Sequence, residues 1–246
     1  VPNEGQGPWQ SPASKLRYTW PDMGKTPNSG PAGGSRSQVM AGGGIKTAGE
    51  NMLEGLKKPG GGYYATYEEA KAAGKPLRYD GKYSVPGVPN DEKGIGKPFM
   101  VYMYGVFMAE VTVEVETGKT AVDKMTLMAD VGKINNRLVV DGQLYGGIAQ
   151  GIGLALTEDF EDIQKHATMI GAGIPFIKDI PDNIELHYFE EEREYGPFGS
   201  AGCGELPLTA PHMSILNATY NACGARVTRI PARPDVVLEA LAAAGK

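Results

Sequence analysis

The clearest periodic signal in the chain lies between residues 98 and 130. Val111, Val113 and Val115 alternate with Thr112, Glu114 and Glu116, the period of a half-buried strand. "ETGK" follows as a turn, and "TAVDKMTLMA" reads as the returning strand, so the pattern predicts a β-hairpin around Glu116–Thr120. Helical spacing governs elsewhere. Val39, Met40, Ile45, Met52, Leu53 and Leu56 predict a helix over Ser35–Leu56, weakened by Gly42–Gly44. Further helices are predicted at Tyr67–Ala73, Asp141–Leu156, Thr209–Ala222 and Pro234–Ala243, the last with proline at its first position. Strands are predicted at Glu185–Glu190 and Arg226–Ile230. Lys57–Lys97 reads as an insertion, and residues 1–34, punctuated by six prolines, read as an irregular extended segment. This mixture defines an α+β (mixed α/β) chain, with residues 1–34 outside the core and 35–246 forming the folded part.

Composition narrows the function. The chain has 246 residues, net charge −5 and no basic run, so neither nucleic acid nor an anionic membrane is expected as a partner. The apolar stretch "GGIAQGIGLAL" is too short and glycine-rich to cross a membrane, and no signal peptide is expected. The two cysteines, Cys203 and Cys223, form no disulfide framework and lack metal-site spacing. A reducing, cytoplasmic setting is therefore expected. A valine start and an opening without core-forming pattern lead us to expect a piece of a longer polypeptide.

The 35 glycines are clustered rather than dispersed, and three clusters are candidates for chemistry. "GPAGGSRSQ" (30–38) precedes a predicted helix, where backbone N–H groups form an anion site and Ser35, Arg36 and Ser37 add donors. The plain alternative is a capped helix start. In "DGQLYGGIAQGIGLAL", Gln143, Gly147, Gln150 and Leu154 share a helical stripe. An amide there can read the edge of a polar heterocycle that the glycines let come close. The alternative is a helix packed tightly through its glycines. "GPFGSAGCGEL" (196–206) leaves backbone N–H groups uncovered beside a single carboxylate, Glu205. That carboxylate is either a catalytic base or a cap on the following helix. His166, His187 and His212 are scattered, without metal-ligand spacing.

In this order, "GPAGGSRSQVM", "MYGVFMAEVTVEVETGKT", "INNRLVVDGQLYGGIAQGIGLALTEDFED" and "GPFGSAGCGELPLTAPH" resemble the molybdenum-binding C-terminal region of the xanthine oxidase family. The branch that oxidises aldehydes in sulfate-reducing bacteria comes nearest. The likeness runs over nearly all of the chain from Thr26 on. It implies the C-terminal portion of a molybdopterin-binding domain of the aldehyde oxidase/xanthine dehydrogenase type. The cofactor would be molybdopterin cytosine dinucleotide, its molybdenum held by pterin sulfurs and by no protein side chain. The resemblance assigns Gly33, Gly34, Ser35, Arg36, Ser37 and Gln38 to one cofactor-contacting loop. It assigns Asn136 and Gln143 to a central segment, and Ala201, Gly202, Cys203 and Gly204 to backbone beside the metal.

In the family's motif Gly-x-Gly-Glu, here "GCGE", the glutamate is Glu205. It would act as general base on a molybdenum-bound hydroxide, so that an aldehyde becomes a carboxylic acid with water as oxygen source. Leu206 follows it where xanthine dehydrogenases tend to have proline, which favours an aldehyde over a purine or other heterocycle. Cys203 stands where an apolar residue such as valine is usual. The family's [2Fe–2S] clusters need more cysteines than this chain has, so they are expected in an N-terminal part of the enzyme, and the fragment alone should be inactive. An aldehyde substrate, the remainder of the same enzyme, an electron-acceptor protein and a homodimer are the expected partners. The competing readings are a heterocycle hydroxylase with the same centre and a non-catalytic nucleotide-binding fragment.

Overall fold

The computed structural model describes residues 17–246, which fall into two compact units, residues 17–102 with 192–202 and residues 103–191 with 203–246. Of the opening segment, residues 17–34 hold only turns and irregular backbone. The expectation for residues 1–16 lies outside the described residues.

The first unit is built on α1 (Ser37–Gly55). Its glycines do not break the helix because neighbours need the space. A Cβ at Gly43 would lie 2.3 Å from the Tyr83 ring, and one at Gly55 would lie 2.5 Å from Tyr79. Where Gly81 crosses the helix, its own Cβ would meet Gly44 O at 1.9 Å. The helical cost of glycine, about 1 kcal/mol against alanine, is set against tyrosine packing that no other residue admits. Tyr83 also donates its hydroxyl to Tyr195 O at 2.5 Å, tying in the 192–202 segment. The short α2 (Tyr67–Ala72) starts at Thr66, whose Oγ1 accepts from Glu69 N at 3.1 Å.

The second unit holds the predicted hairpin, β1 (Tyr104–Glu114) and β2 (Lys119–Asp130), antiparallel with a bulge at Glu110/Val111. Gly118 turns it at φ +75°. The third strand, β3 (Asn183–Tyr188), runs parallel to β2, so the order is β1-β2-β3. One face buries Met125, Leu127 and Ala129 against Leu144, Ile148 and Ile152 of α3 (Arg137–Leu156). A second cluster joins α4 (Pro211–Cys223) to α5 (Pro234–Ala243) through Leu216, Val227, Val236, Val237 and Leu241.

Two expectations change. α3 starts four residues before Asp141, with Asn136 Oδ1 accepting from Val139 N at 3.3 Å as its cap. The predicted strand Arg226–Ile230 is not one. Ala225 and Val227 are buried and Arg226 and Thr228 exposed, so the segment has a strand's alternation. It packs onto the helical cluster without a strand beside it.

Candidate cofactor site

The first and third glycine clusters, remote in sequence, meet within the first unit. Gln38 Nε2 donates to Ser200 Oγ at 3.0 Å, and Ser200 Oγ donates to Pro197 O at 2.7 Å. A Cβ at Gly202 would stand 2.1 Å from Ser35 O, and one at Gly42 3.1 Å from Pro197 Cγ. Gly202 must therefore be glycine for the two loops to touch. Ser35 (φ +60°) and Phe198 (φ +54°) are the non-glycine residues in the left-handed region among the described residues, one in each loop. Such strain costs on the order of 1–3 kcal/mol per residue and concentrates at functional sites.

The 33–38 loop opens α1 in a particular way. Arg36 occupies the cap position without a side-chain cap, and the first turn holds no acidic residue. Around Gly33 and Gly34 nothing lies within 4 Å of an added Cβ. First-turn N–H groups without a side-chain cap, open glycines, Ser37 and Arg36 make a cradle that suits a phosphate. The capped-start alternative is not what the helix shows.

In the second unit α3 has two glycine faces. Gly147 seats Pro207 and Gly151 seats Pro211, with a Cβ at 2.3 and 2.4 Å from the respective ring. On the other face Gly142 and Gly146 meet nothing within 4 Å, and Gln143 between them is exposed. Gln143, Gly147, Gln150 and Leu154 do share a stripe of α3, but its glycine is filled, as in the packing alternative. Gly147 is a packing glycine, and the open ones beside Gln143 are Gly142 and Gly146. Their i, i+4 spacing was the available signal. Asn136 is exposed at the head of the same helix, its Oδ1 engaged as the cap.

Two hydrogen-bond sets hold this end of α3. Asp141 Oδ1 accepts from Arg137 Nε at 2.7 Å and from the Tyr188 hydroxyl, while the Arg137 guanidinium lies 3.9 Å from the centroid of the Tyr188 ring. Burial first, then the Asp141 carboxylate, pushes the Tyr188 hydroxyl well above its ordinary pKa, so it stays a donor. Upstream, Glu190 accepts from Ile134 N at 3.0 Å and Asp130 from Glu191 N at 3.3 Å.

Of the glycine-rich stretch, Ala201 and Gly202 are buried in the first unit, and Cys203, Gly204 and Glu205 belong to the second. Cys203 is half-buried against the sheet–α3 core, and burial raises its thiol pKa, which keeps it protonated and inert. Glu205 is exposed and stands at the cap position of a 3-10 turn, Leu206–Leu208, but its side chain does not cap that turn. The turn is fixed by Pro207 against Gly147. The helix-cap alternative for Glu205 therefore has no support in the geometry. Among the described residues no three His, Cys, Asp or Glu side chains gather as a metal-ligand set. The donors at the start of α1 fit an anionic, oxygen-rich group.

These features define a class: the chain belongs to the molybdopterin cofactor-binding domain family, whose model matches residues 10–181. Among its relatives, an aldehyde oxidoreductase from Megalodesulfovibrio gigas is 60% identical over 231 residues, 93% of this chain and 25% of that protein. The solved aldehyde oxidoreductase from Desulfovibrio gigas superimposes with TM-score 0.92 at 58% identity, covering 96% of this chain and 26% of that one. The corresponding enzyme from Desulfovibrio desulfuricans gives 0.86 at 62%, covering 89% and 24%. The likeness to the xanthine oxidase family is thus established, with an α+β fold of the aldehyde oxidoreductase type. The chain spans about a quarter of the length of these relatives.

Proposed function

We propose that the full-length protein is a molybdenum hydroxylase that oxidises aldehydes to carboxylic acids. The reading is carried by one observation: the Gly33–Gln38 loop and the Gly196–Gly202 loop meet around a helix start with no side-chain cap, in a chain 60% identical to an aldehyde oxidoreductase. When bound, molybdopterin cytosine dinucleotide supplies the two-electron redox chemistry: aldehyde and water give acid, two protons and two electrons. The chain's residues do the rest. The first-turn N–H groups of α1, with Ser35, Arg36, Ser37 and Gln38, hold the phosphate-bearing part of the cofactor. Gly33 and Gly34 let it approach. Gln143, with Gly142 and Gly146 open beside it, hydrogen-bonds a heterocycle edge, and Asn136 adds a contact at the head of the helix. Ala201, Gly202, Cys203 and Gly204 present backbone close to the reacting centre.

Glu205 accepts the proton given up by the water that supplies the oxygen. A carboxylate is too weak a base for ordinary water and suits water acidified by a nearby cation. [2Fe–2S] clusters in the remainder of the enzyme would supply the electron transfer to an acceptor protein. The fragment alone is inactive, and the enzyme works as a cytoplasmic homodimer. No helix among the described residues is long and apolar enough to cross a membrane.

Metal and nucleotide analysis of the purified full-length protein, with parallel aldehyde and xanthine oxidation assays, tests this. Molybdenum and a cytosine nucleotide in equal amounts, with aldehyde oxidised in preference to xanthine, are expected. A nucleotide without molybdenum would make the chain a nucleotide-binding module.

A further inference from the structure

Glu205 owes its place to the residues that follow it. Leu206, Pro207 and Pro211 are buried, the two prolines fully. Leu206 joins the sheet–α3 core, and a Cβ on Gly105 of β1 would come 3.1 Å from its Cδ1. Pro207 and Pro211 stand four residues apart, and so do Gly147 and Gly151, the positions of α3 that receive them. Two pegs thus enter two holes one helical turn apart, and a shifted turn would lose both seats at once. A Cβ on Gly147 would also lie 3.1 Å from the Pro207 carbonyl carbon, so the backbone of the turn rests on the helix together with its ring. Hydrogen bonds close the turn. Leu208 N donates to Glu205 O at 3.3 Å, and Thr209 donates its N–H and its hydroxyl to Leu206 O at 3.1 and 2.7 Å. The same helix carries Gln143 one turn before Gly147, about 6 Å along the axis.

We propose that Gly147 and Pro207, with Gly151 and Pro211 one turn on, are positioning residues that fix the backbone of Glu205 on α3 at a set distance from Gln143, a role that rests on Glu205 being the base and Gln143 a cofactor contact. A base works only within hydrogen-bond reach of the proton it takes, and misplacing a reacting group by about 1 Å costs on the order of 10²-fold. The Glu205 side chain is long and exposed, so the anchoring of its backbone limits where the carboxylate can reach. The seat is exacting. A methyl on Gly147 would stand 2.3 Å from the Pro207 ring, where ordinary contact begins at 3.4 Å, and overpacking of that size moves backbone by about 1 Å.

The test uses the full-length enzyme. Pro207→Ala empties one seat and Gly147→Ala overfills it. Leu241→Ala, in the α4–α5 cluster, is the control, since it removes buried packing away from the turn. Molybdenum content, kcat per molybdenum, KM for an aldehyde and melting temperature are measured on each. Pro207→Ala and Gly147→Ala should lower kcat per molybdenum at least about tenfold at unchanged KM, as for an interaction made only in the transition state. Leu241→Ala should lower the melting temperature and keep kcat. Added to Glu205→Gln, Pro207→Ala should change the residual turnover, read as acid accumulated over hours, by less than about twofold. If Pro207→Ala keeps the kcat of the Leu241→Ala control while Glu205→Gln alone has lost turnover, the positioning role is overturned and the base stands. A further loss of about tenfold in the Glu205→Gln background would overturn it too, because the seat would then act elsewhere than through Glu205. Near-normal turnover of Glu205→Gln would remove the base, and this role with it.

Discussion

At Gln143 the helix presents an amide with open glycines beside it, while the neighbouring Gly147 is filled by Pro207. The same residue type thus serves opposite ends within one turn of helix. This was only half legible in the sequence. A glycine-rich helical stripe can be read from spacing, but which glycine is filled depends on prolines some 60 residues away in the chain. Gln143→Ala in the full-length enzyme would remove the proposed hydrogen bonds to the cofactor, each worth roughly 0.5–1.5 kcal/mol. We expect a several-fold loss of molybdenum and nucleotide on dialysis, measured by metal analysis, with the melting temperature unchanged. Full retention would leave Gln143 outside the site. Gly202 gives a stronger case. In Gly202→Ala the new methyl would meet Ser35 O at 2.1 Å, and overpacking of this kind costs about 1–3 kcal/mol. Lower thermal stability together with lost cofactor is expected. An alanine variant that melts normally and retains molybdenum would show that the two loops need not touch.

Elements were legible where burial and periodicity agree. The hairpin was read from Val111, Val113 and Val115, but β1 begins at Tyr104. Its first half was not visible because Val106 and Met108 are apolar on the exposed face, so the alternation is blurred until Thr112 and Glu114 restore it. The start of α3 was missed for a related reason. Leu138 and Val139 in its first turn are 82 and 58% exposed, and apolar residues that face outward carry no amphipathic signal. The cap at Asn136 could have been found. The clamp on α3, by contrast, joins Asp141 to Tyr188 over 47 residues and had no local mark. Because Asp141 lies two residues from Gln143, losing the clamp should loosen the cofactor contact. Asp141→Ala should lose cofactor severalfold faster than the parent at a temperature well below melting. Asp141→Asn, which keeps an oxygen for Arg137 and Tyr188, should restore retention. Equal loss rates for parent, alanine and asparagine forms would confine the clamp to folding.

Across the whole molecule, the residues proposed to act are spread along the chain, from Gly33 to Glu205, and the order of the motifs that hold them was what made the resemblance specific. The meeting of residues 33–38 with 196–202 could not be read from spacing, since Gln38 and Ser200 lie 162 residues apart. Nor could the sequence show that the side chain of Glu205 leaves the following turn uncapped. That detail removes the cap of this turn as a role for Glu205, and the proposed base role makes Glu205 the place to test the account. In the full-length enzyme, Glu205→Gln keeps the shape of the side chain but removes the proton acceptor. Molybdenum content and aldehyde turnover should be measured on the same preparation. The account predicts unchanged molybdenum with turnover lowered by at least roughly 10²–10⁴-fold, the usual loss for a general base. Near-normal turnover at full molybdenum occupancy would contradict it.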